Sequence, residues 1–320
     1  MKKIIVLRGG PSSEYEVSMK SGKSVIDQLQ DHYKITDVVV DKEGKWIVSG
    51  IAVEPHKITR DIDCVFNAMH GEYGEDGTVQ KLLDQLKVPY TGSGVLGSSV
   101  AMNKALAKNF YKKHGIKTPL YRVINKTDNI DGLAMELYKT FPMPAVLKPV
   151  SSGSSVGVSI AKDYQSMRDT LISLFLRYEK VLVEEYIEGK EATVGILEEF
   201  RNQKIYKLSP VEIRHPSNKT FFDYEAKYSG ITQELCPGEF SPAEKELMQE
   251  MAGKSHEALG LRHYSRTDFR IHPKRGIYAL ETNSLPGLTE HSLMPKSLEP
   301  LGISYKEMLD HLINLAIKQK

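Results

Sequence analysis

Alternating apolar and polar positions near the carboxyl end predict two strands, about 264–271 and 277–283, joined by the turn HPKRG. Side chains alternate faces along a strand, so Arg266, Asp268 and Arg270 share one side of the first. On the second, Ile277, Ala279, Glu281 and Asn283 share a side, and Tyr278, Leu280 and Thr282 take the other. A register that sets Asp268 beside Glu281 and Asn283 gathers two carboxylates and an amide oxygen, with Arg266 close by. Hard oxygen ligands of that kind suit Mg²⁺ held between protein and phosphate. A solvated hairpin edge would carry the same charges. The sequel SLPGLTEHSL, with an acid, a Pro-Gly turn and hydroxyls, favours a site.

At the amino end KIIVLR is a short apolar run of the buried parallel-strand type, followed by a helical pattern through Val17, Ser21, Val25 and Leu29. Gly9–Gly10 therefore falls at a strand-to-helix turn, where helix-start amides can meet an anion. No GxGxxG is present, which removes a dinucleotide fingerprint. SGKS (Ser21–Ser24) imitates the end of a Walker A loop, but Val17 stands where the first glycine is needed and the segment lies inside the helix. Glu14 at this turn is either a helix-start acid or a ligand for a positive group. VVVDKEGKWIV reads as strand, turn and strand, and DCVFNAM as a second buried strand. The loop HGEYGEDG after it, opened by His70, lies where open α/β sheets bind ligands, and a domain boundary is expected near residue 93.

The next section predicts one helix over about 99–114, ended by Gly115 and carrying Lys104, Lys108, Lys112 and Lys113. Most of these lysines read as a solvated face, with Lys104 singled out. FPMPAVLKP is a strand ending at Lys148, and VSSGSSVGVSIAK reads as a glycine-rich hairpin loop. Its amides, with the Ser154 and Ser155 hydroxyls, can reach phosphate oxygens. Beyond a helix at about 163–178, VLVEEYIEGKEATVGIL predicts strand, connector and strand, with Glu184, Glu185 and Glu191 around the connector. Residues 209–238 lack periodicity and read as a lid, in which Lys227 and Tyr228 stand out. Helices near 241–259 and 304–318 close the chain.

Composition narrows the class. The 320 residues exceed one small core, and 40% hydrophobic with 26% charged residues is ordinary for a water-exposed globular chain. A net charge of +2 with scattered lysines gives no case for nucleic acid. Cys64 and Cys236 make no disulfide framework, which fits a reducing cytoplasm. The start has four consecutive apolar residues, too few for a signal-peptide core, and no later run approaches a membrane span.

The motifs GGPSSEYEVSMKSG, HGEYGEDGTVQ, PYTGSGV, MNK, LKPVSSGSSVGVS, VEEYIEGKEATVGIL, DYEAKY, RTDF and ETNSLPGLTEHSL, in this order, resemble the D-alanine–D-alanine ligase family of the ATP-grasp superfamily. The resemblance covers nearly the whole chain. It implies an α/β fold (α+β overall): a Rossmann-like domain at 1–93 and a two-subdomain ATP-grasp fold at 94–185 and 186–320. The implied reaction phosphorylates one D-alanine with ATP, and the amine of a second D-alanine then attacks the acyl phosphate.

By the same resemblance Asp268, Glu281 and Asn283 bind two Mg²⁺ or Mn²⁺, and Lys104, Lys148 and Lys227 contact phosphates under the Gly153–Gly157 loop. Glu184, the Glu185–Ile187 backbone and Glu191 match adenine and ribose contacts. Glu14, in a trio with Ser154 and Tyr228, holds the first ammonium, and His70 lies near that carboxylate. Arg266 and the Gly287 amide serve the oxyanion, while Ser292 and the Leu293 amide take the second carboxylate. Tyr228 favours an amine nucleophile over D-lactate; D-lactate or D-serine as second substrate is the alternative. A homodimer with no nucleic-acid or membrane partner is implied. Departures are Asn103 and Ser284, where the family has Asp and often Thr, and Pro11 and Tyr15 in the first loop.

Overall fold

The structure is a computed structural model; it describes residues 1–151, 153, 157–214 and 233–318. The first sheet holds β1 (Lys3–Gly9), β2 (Lys34–Val40), β3 (Trp46–Val48), β4 (Ile51–Val53) and β5 (Cys64–Asn67) in the order β4-β3-β2-β1-β5. β1 pairs in parallel with both β2 and β5. This central position explains its run of four fully buried residues, Ile4 to Leu7. The helix Tyr15–Leu29 covers one face, and SGKS lies within it, with Ser21 buried.

The second sheet has the order β6-β9-β7-β8, from β6 (Tyr121–Asn125), β7 (Ala145–Pro149), β8 (Ser159–Ala161) and β9 (Lys180–Glu185). β7 and β8 pair antiparallel from Ala145↔Ala161, so the glycine-rich segment is a hairpin connection. The third sheet contains β10 (Lys190–Phe200), β11 (Gln203–Lys207), β12 (Val211–Arg214), β13 (Gln233–Leu235), β14 (Tyr264–His272) and β15 (Gly276–Asn283). Its main path is β13-β12-β10-β14-β15, with β11 on β10.

Cores cross these sheets. The C-terminal helix Tyr305–Lys318 supplies Met308, Leu309 and Leu312 to the cluster that holds Ile4, Val6 and Phe66. Val100, Ala107 and Tyr111 pack with Phe269, Ile277 and Ala279 of the third sheet. Among the described residues, no helix is long and apolar enough to cross a membrane.

Four sequence expectations change. The predicted helix at 99–114 is two helices, Val95–Met102 and Lys104–Lys113. Asn103 between them is extended, and its side chain accepts from the Leu106 amide at 3.1 Å, an N-cap that starts a new helix. Gly115, at φ +68°, does end the second helix. The aperiodic stretch 209–238 begins and ends in strands: β12 pairs with β13 from Glu212↔Leu235 to Arg214↔Gln233. Residues 215–232 lie outside the described residues.

The third and fourth changes concern faces. Ile277 and Ala279 do not share a side with Glu281 and Asn283; they enter the apolar core. Asp268 pairs with Glu281 but Phe269 pairs with Ala279, so Leu280 is an extra residue, a β-bulge that reverses the alternation. Lys108, read as solvated, is fully buried.

Candidate active site

A cleft opens between the second and third sheets, lined by Lys104, Lys148, Glu184, Glu185, Tyr186, Ile187, Glu191, Arg266, Asp268, Arg270, Leu280, Glu281 and Leu293, among others. Its non-atom space, open solvent included, is about 860 Å³. One wall is the β14–β15 hairpin. There Arg266 grips Asp268 with two bonds, Nε to Oδ1 at 2.9 Å and Nη2 to Oδ2 at 3.0 Å. Thr193 on β10 donates to Asp268 Oδ1 at 2.6 Å, and Asn283 Nδ2 donates to Oδ2 at 3.1 Å. Lys104 Nζ lies 3.2 Å from Glu281 Oε2.

Local structure explains how Lys104 reaches the cleft. The break at Asn103 bridges to Ser151, and the Lys104 amide donates to the Val150 carbonyl at 2.9 Å. The helix start is thereby tied to the foot of the glycine-rich hairpin. Behind the hairpin, the Tyr111 Oη–Thr282 Oγ1 contact (2.6 Å) and the Thr267–Thr282 hydroxyl contact (3.0 Å) fix the strand pair from the core side. The bulge turns Leu280 into the cleft beside Glu281.

The opposite wall centres on Glu184. Its Oε1 is 2.7 Å from Lys108 Nζ and its Oε2 is 2.7 Å from Lys148 Nζ. Burial alone would push this carboxyl up, but the two ammonium groups outweigh it and hold Glu184 below the usual range. Burial in turn lowers Lys108 to about 8 despite Glu184. Arg270 pairs with Glu191 at 2.9 Å and donates to the Gly189 carbonyl at 3.2 Å. Glu185 points out to Arg275 (2.7 Å) and accepts from the Leu120 amide at 3.1 Å.

Two N-terminal loops reach the same region. A Cβ on Gly153 would clash with Glu14 Oε2, so Gly153 rests directly on Glu14. Glu14 is buried at the helix start, and its side chain does not cap the helix. His70 is buried, 2.8 Å from Ser21 Oγ and 3.3 Å from Glu75 Oε1. Burial pulls the imidazole down, but Glu75 outweighs this and its net shift is upward. Burial also raises Glu75.

After β15 the chain turns, and a Cβ on Gly287 would lie 3.0 Å from Ser292 Oγ. Ser292 Oγ also meets Thr289 Oγ1 at 2.7 Å and accepts from its amide at 3.1 Å. Ser154, Ser155, Lys227 and Tyr228 lie outside the described residues.

Sequence reasoning missed Lys108, Arg270 and Thr193. Lys108 was legible as the residue one turn after Lys104 and one turn before Tyr111, a single buried helix face. Arg270 shares the strand face of Asp268, and Thr193 sits opposite Asp268 in the β10–β14 register.

Comparison with known proteins gives the family of the chain. The model of the D-ala D-ala ligase C-terminus matches residues 110–314, and that of the N-terminus matches 3–59 and 51–93. A D-alanine–D-alanine ligase of Halalkalibacterium halodurans is 37% identical over 99% of this chain and 100% of its own length. One from Geobacter sulfurreducens is 38% identical over 97% and 93%. Among solved structures, the VanG D-Ala:D-Ser ligase from Enterococcus faecalis superposes with a TM-score of 0.85 at 28% identity, over 98% of this chain and 99% of that one. The D-alanine–D-alanine ligase from Coxiella burnetii gives 0.84 at 26%, over 99% and 94%. With its N- and C-terminal parts both matched and relatives aligned end to end, the chain belongs to the D-alanine–D-alanine ligase family and has the ATP-grasp fold.

Proposed function

We propose that the protein is an ADP-forming ligase that joins two D-alanines into D-alanyl-D-alanine, for peptidoglycan precursor synthesis. The observation that carries this reading is one cleft in which lysines from two elements face an Arg–carboxylate hairpin. Bringing a carboxylate to a polyphosphate costs about 4 kcal/mol per unit-charge pair at 4 Å and an effective dielectric near 20. Phosphoryl transfer is mostly positioning and charge neutralisation, so cations on both walls are what the step needs.

In this reading Lys104 and Lys148 hold ATP phosphates, with Lys227 and the Ser154–Ser155 loop adding to them. Glu184 and the Glu185–Ile187 backbone receive the adenine, and Glu191 the ribose. Glu14, supported by Ser154 and Tyr228, orients the first D-alanine by its ammonium, with His70 near its carboxylate. That carboxylate attacks the γ-phosphorus and expels ADP. The second D-alanine, held by Ser292 and the Leu293 amide, attacks the acyl phosphate carbon. Arg266 and the Gly287 amide stabilise the oxyanion until phosphate leaves.

Asp268, Glu281 and Asn283 fit two Mg²⁺ or Mn²⁺ ions. They present two carboxylates and an amide on adjacent strand positions, and the Asn283–Asp268 contact of 3.1 Å shows how close the groups lie. Among the described residues no three His, Cys, Asp or Glu side chains gather for a metal, which leaves part of the ion's shell to phosphate oxygens. When bound, the ions neutralise phosphate charge.

The assignment extends to domains at 1–93, 94–185 and 186–320, each holding one sheet, to a cytoplasmic homodimer, and to no nucleic-acid or membrane partner. A D-serine-using enzyme is the second reading, favoured by the superposition on a D-Ala:D-Ser ligase. The test is ADP release with D-alanine alone against mixtures with D-serine or D-lactate, with products identified by mass. D-Alanyl-D-alanine is expected with D-alanine alone. No D-alanine-dependent ADP formation sinks the proposal.

A further inference from the structure

Glu184 has two lysine partners, but they are placed differently. Lys148 lines the cleft together with Glu184, whereas Lys108 does not and is fully buried on the helix Lys104–Lys113. Lys108 is also held from the other side, donating to Thr118 Oγ1 at 2.7 Å. A buried carboxylate left with no cation is costly, because removing one partner of a buried pair strands the other charge. If Lys148 serves phosphate, Glu184 needs a counter-ion that never leaves.

We propose that Lys108 is a positioning residue for nucleotide selection: it is the resident counter-ion that keeps Glu184 an ionised acceptor, frees Lys148 for phosphate, and so enforces adenine over guanine. This rests on the reading of Glu184 as an adenine contact. An ionised carboxylate accepts from the exocyclic amine of adenine. At the same place guanine presents a carbonyl oxygen, which a carboxylate repels and a protonated carboxyl can bind. Burial lowers Lys108 to about 8, so at neutral pH it still carries its charge.

The experiment measures ATP and GTP affinity calorimetrically, alongside steady-state kinetics, for wild type, Lys108→Met, Glu184→Gln and the double variant. Lys108→Met is expected to lower the ATP-over-GTP preference about tenfold and to raise KM for ATP more than it lowers kcat. Wild-type selectivity in a folded Lys108→Met protein overturns the proposal. If Lys108→Met does not fold, the test passes to Glu184→Gln against the double variant, in which no carboxylate is stranded. Because Lys108 acts only through Glu184, these two are expected to show the same affinities and rates; a further loss in the double variant overturns the proposal. A wild-type protein that binds ATP selectively but makes no dipeptide refutes the ligase reading and leaves this one standing.

Discussion

The two walls of the cleft use the same chemistry, carboxylates against cations, at different depths. On the hairpin, Asp268 and Glu281 keep 16% and 27% of their side-chain surface exposed beside Arg266 and Lys104. On the other wall Glu184 keeps 3%, between two lysines that keep 0% and 8%. A carboxylate that keeps part of its surface in water costs less to re-pair than one sealed from it, so the hairpin carboxylates can trade a guanidinium or ammonium for another cation. A pair sealed from water cannot be opened without stranding a charge. The difference divides the labour: the hairpin carboxylates are fit to change partners during a reaction, and the Lys108–Glu184 pair of the other wall to stay fixed as a template.

The strongest way to break this comparison is to remove the charge of Glu281. Glu281→Gln is expected to reduce ADP formation by about 10³-fold while the protein stays folded, since the substitution is nearly isosteric and leaves an amide oxygen for Lys104 to meet. Turnover within tenfold of wild type would mean that the hairpin carboxylates are not the groups that meet the reacting charge.

The second test moves to the buried wall and reads stability. Glu184→Leu leaves Lys108 and Lys148 buried without their anion, and a loss of about 3–5 kcal/mol is expected by urea unfolding. Glu281→Gln should lose less in the same assay, because Glu281 keeps more of its surface in water than Glu184 and glutamine still offers Lys104 an oxygen. Equal losses would erase the distinction between the walls.

The two walls also differ in how far the chain announces them. Asp268, Glu281 and Asn283 were legible because strand alternation and a Pro/Gly turn fix which side chains can meet. Leu280 was not: a bulge adds one residue without disturbing the apolar pattern, so Ile277 and Ala279 were read onto the wrong face. The break at Asn103 hid in the same way, because two helices joined by an N-cap keep one helical periodicity on paper. Lys108 was missed for a thermodynamic reason. A lysine on a helix is normally solvated, and partners distant or unmarked in sequence, Glu184 above all, make its burial tolerable.

The smallest effect expected is a pH signature confined to the buried wall. Burial lowers Lys108 to about 8 in the folded protein, against 10.5 for a lysine in water. Between those values the unfolded chain holds a proton at this lysine that the folded chain has released. More protons on the unfolded state means that stability rises with pH, by up to about 1.4 kcal/mol per pH unit for one full proton. The increment is absent below about 8, where both states are charged, and complete above 10.5, where neither is. Urea midpoints of wild type and Lys108→Met at a series of pH values from 8 to the alkaline limit read it, because the variant lacks this titrating lysine. Wild type is expected to gain on Lys108→Met as pH rises through the window. A gap that stays constant or moves the other way would show that Lys108 is not destabilised by its burial, and the depth argument separating the two walls would lose its footing.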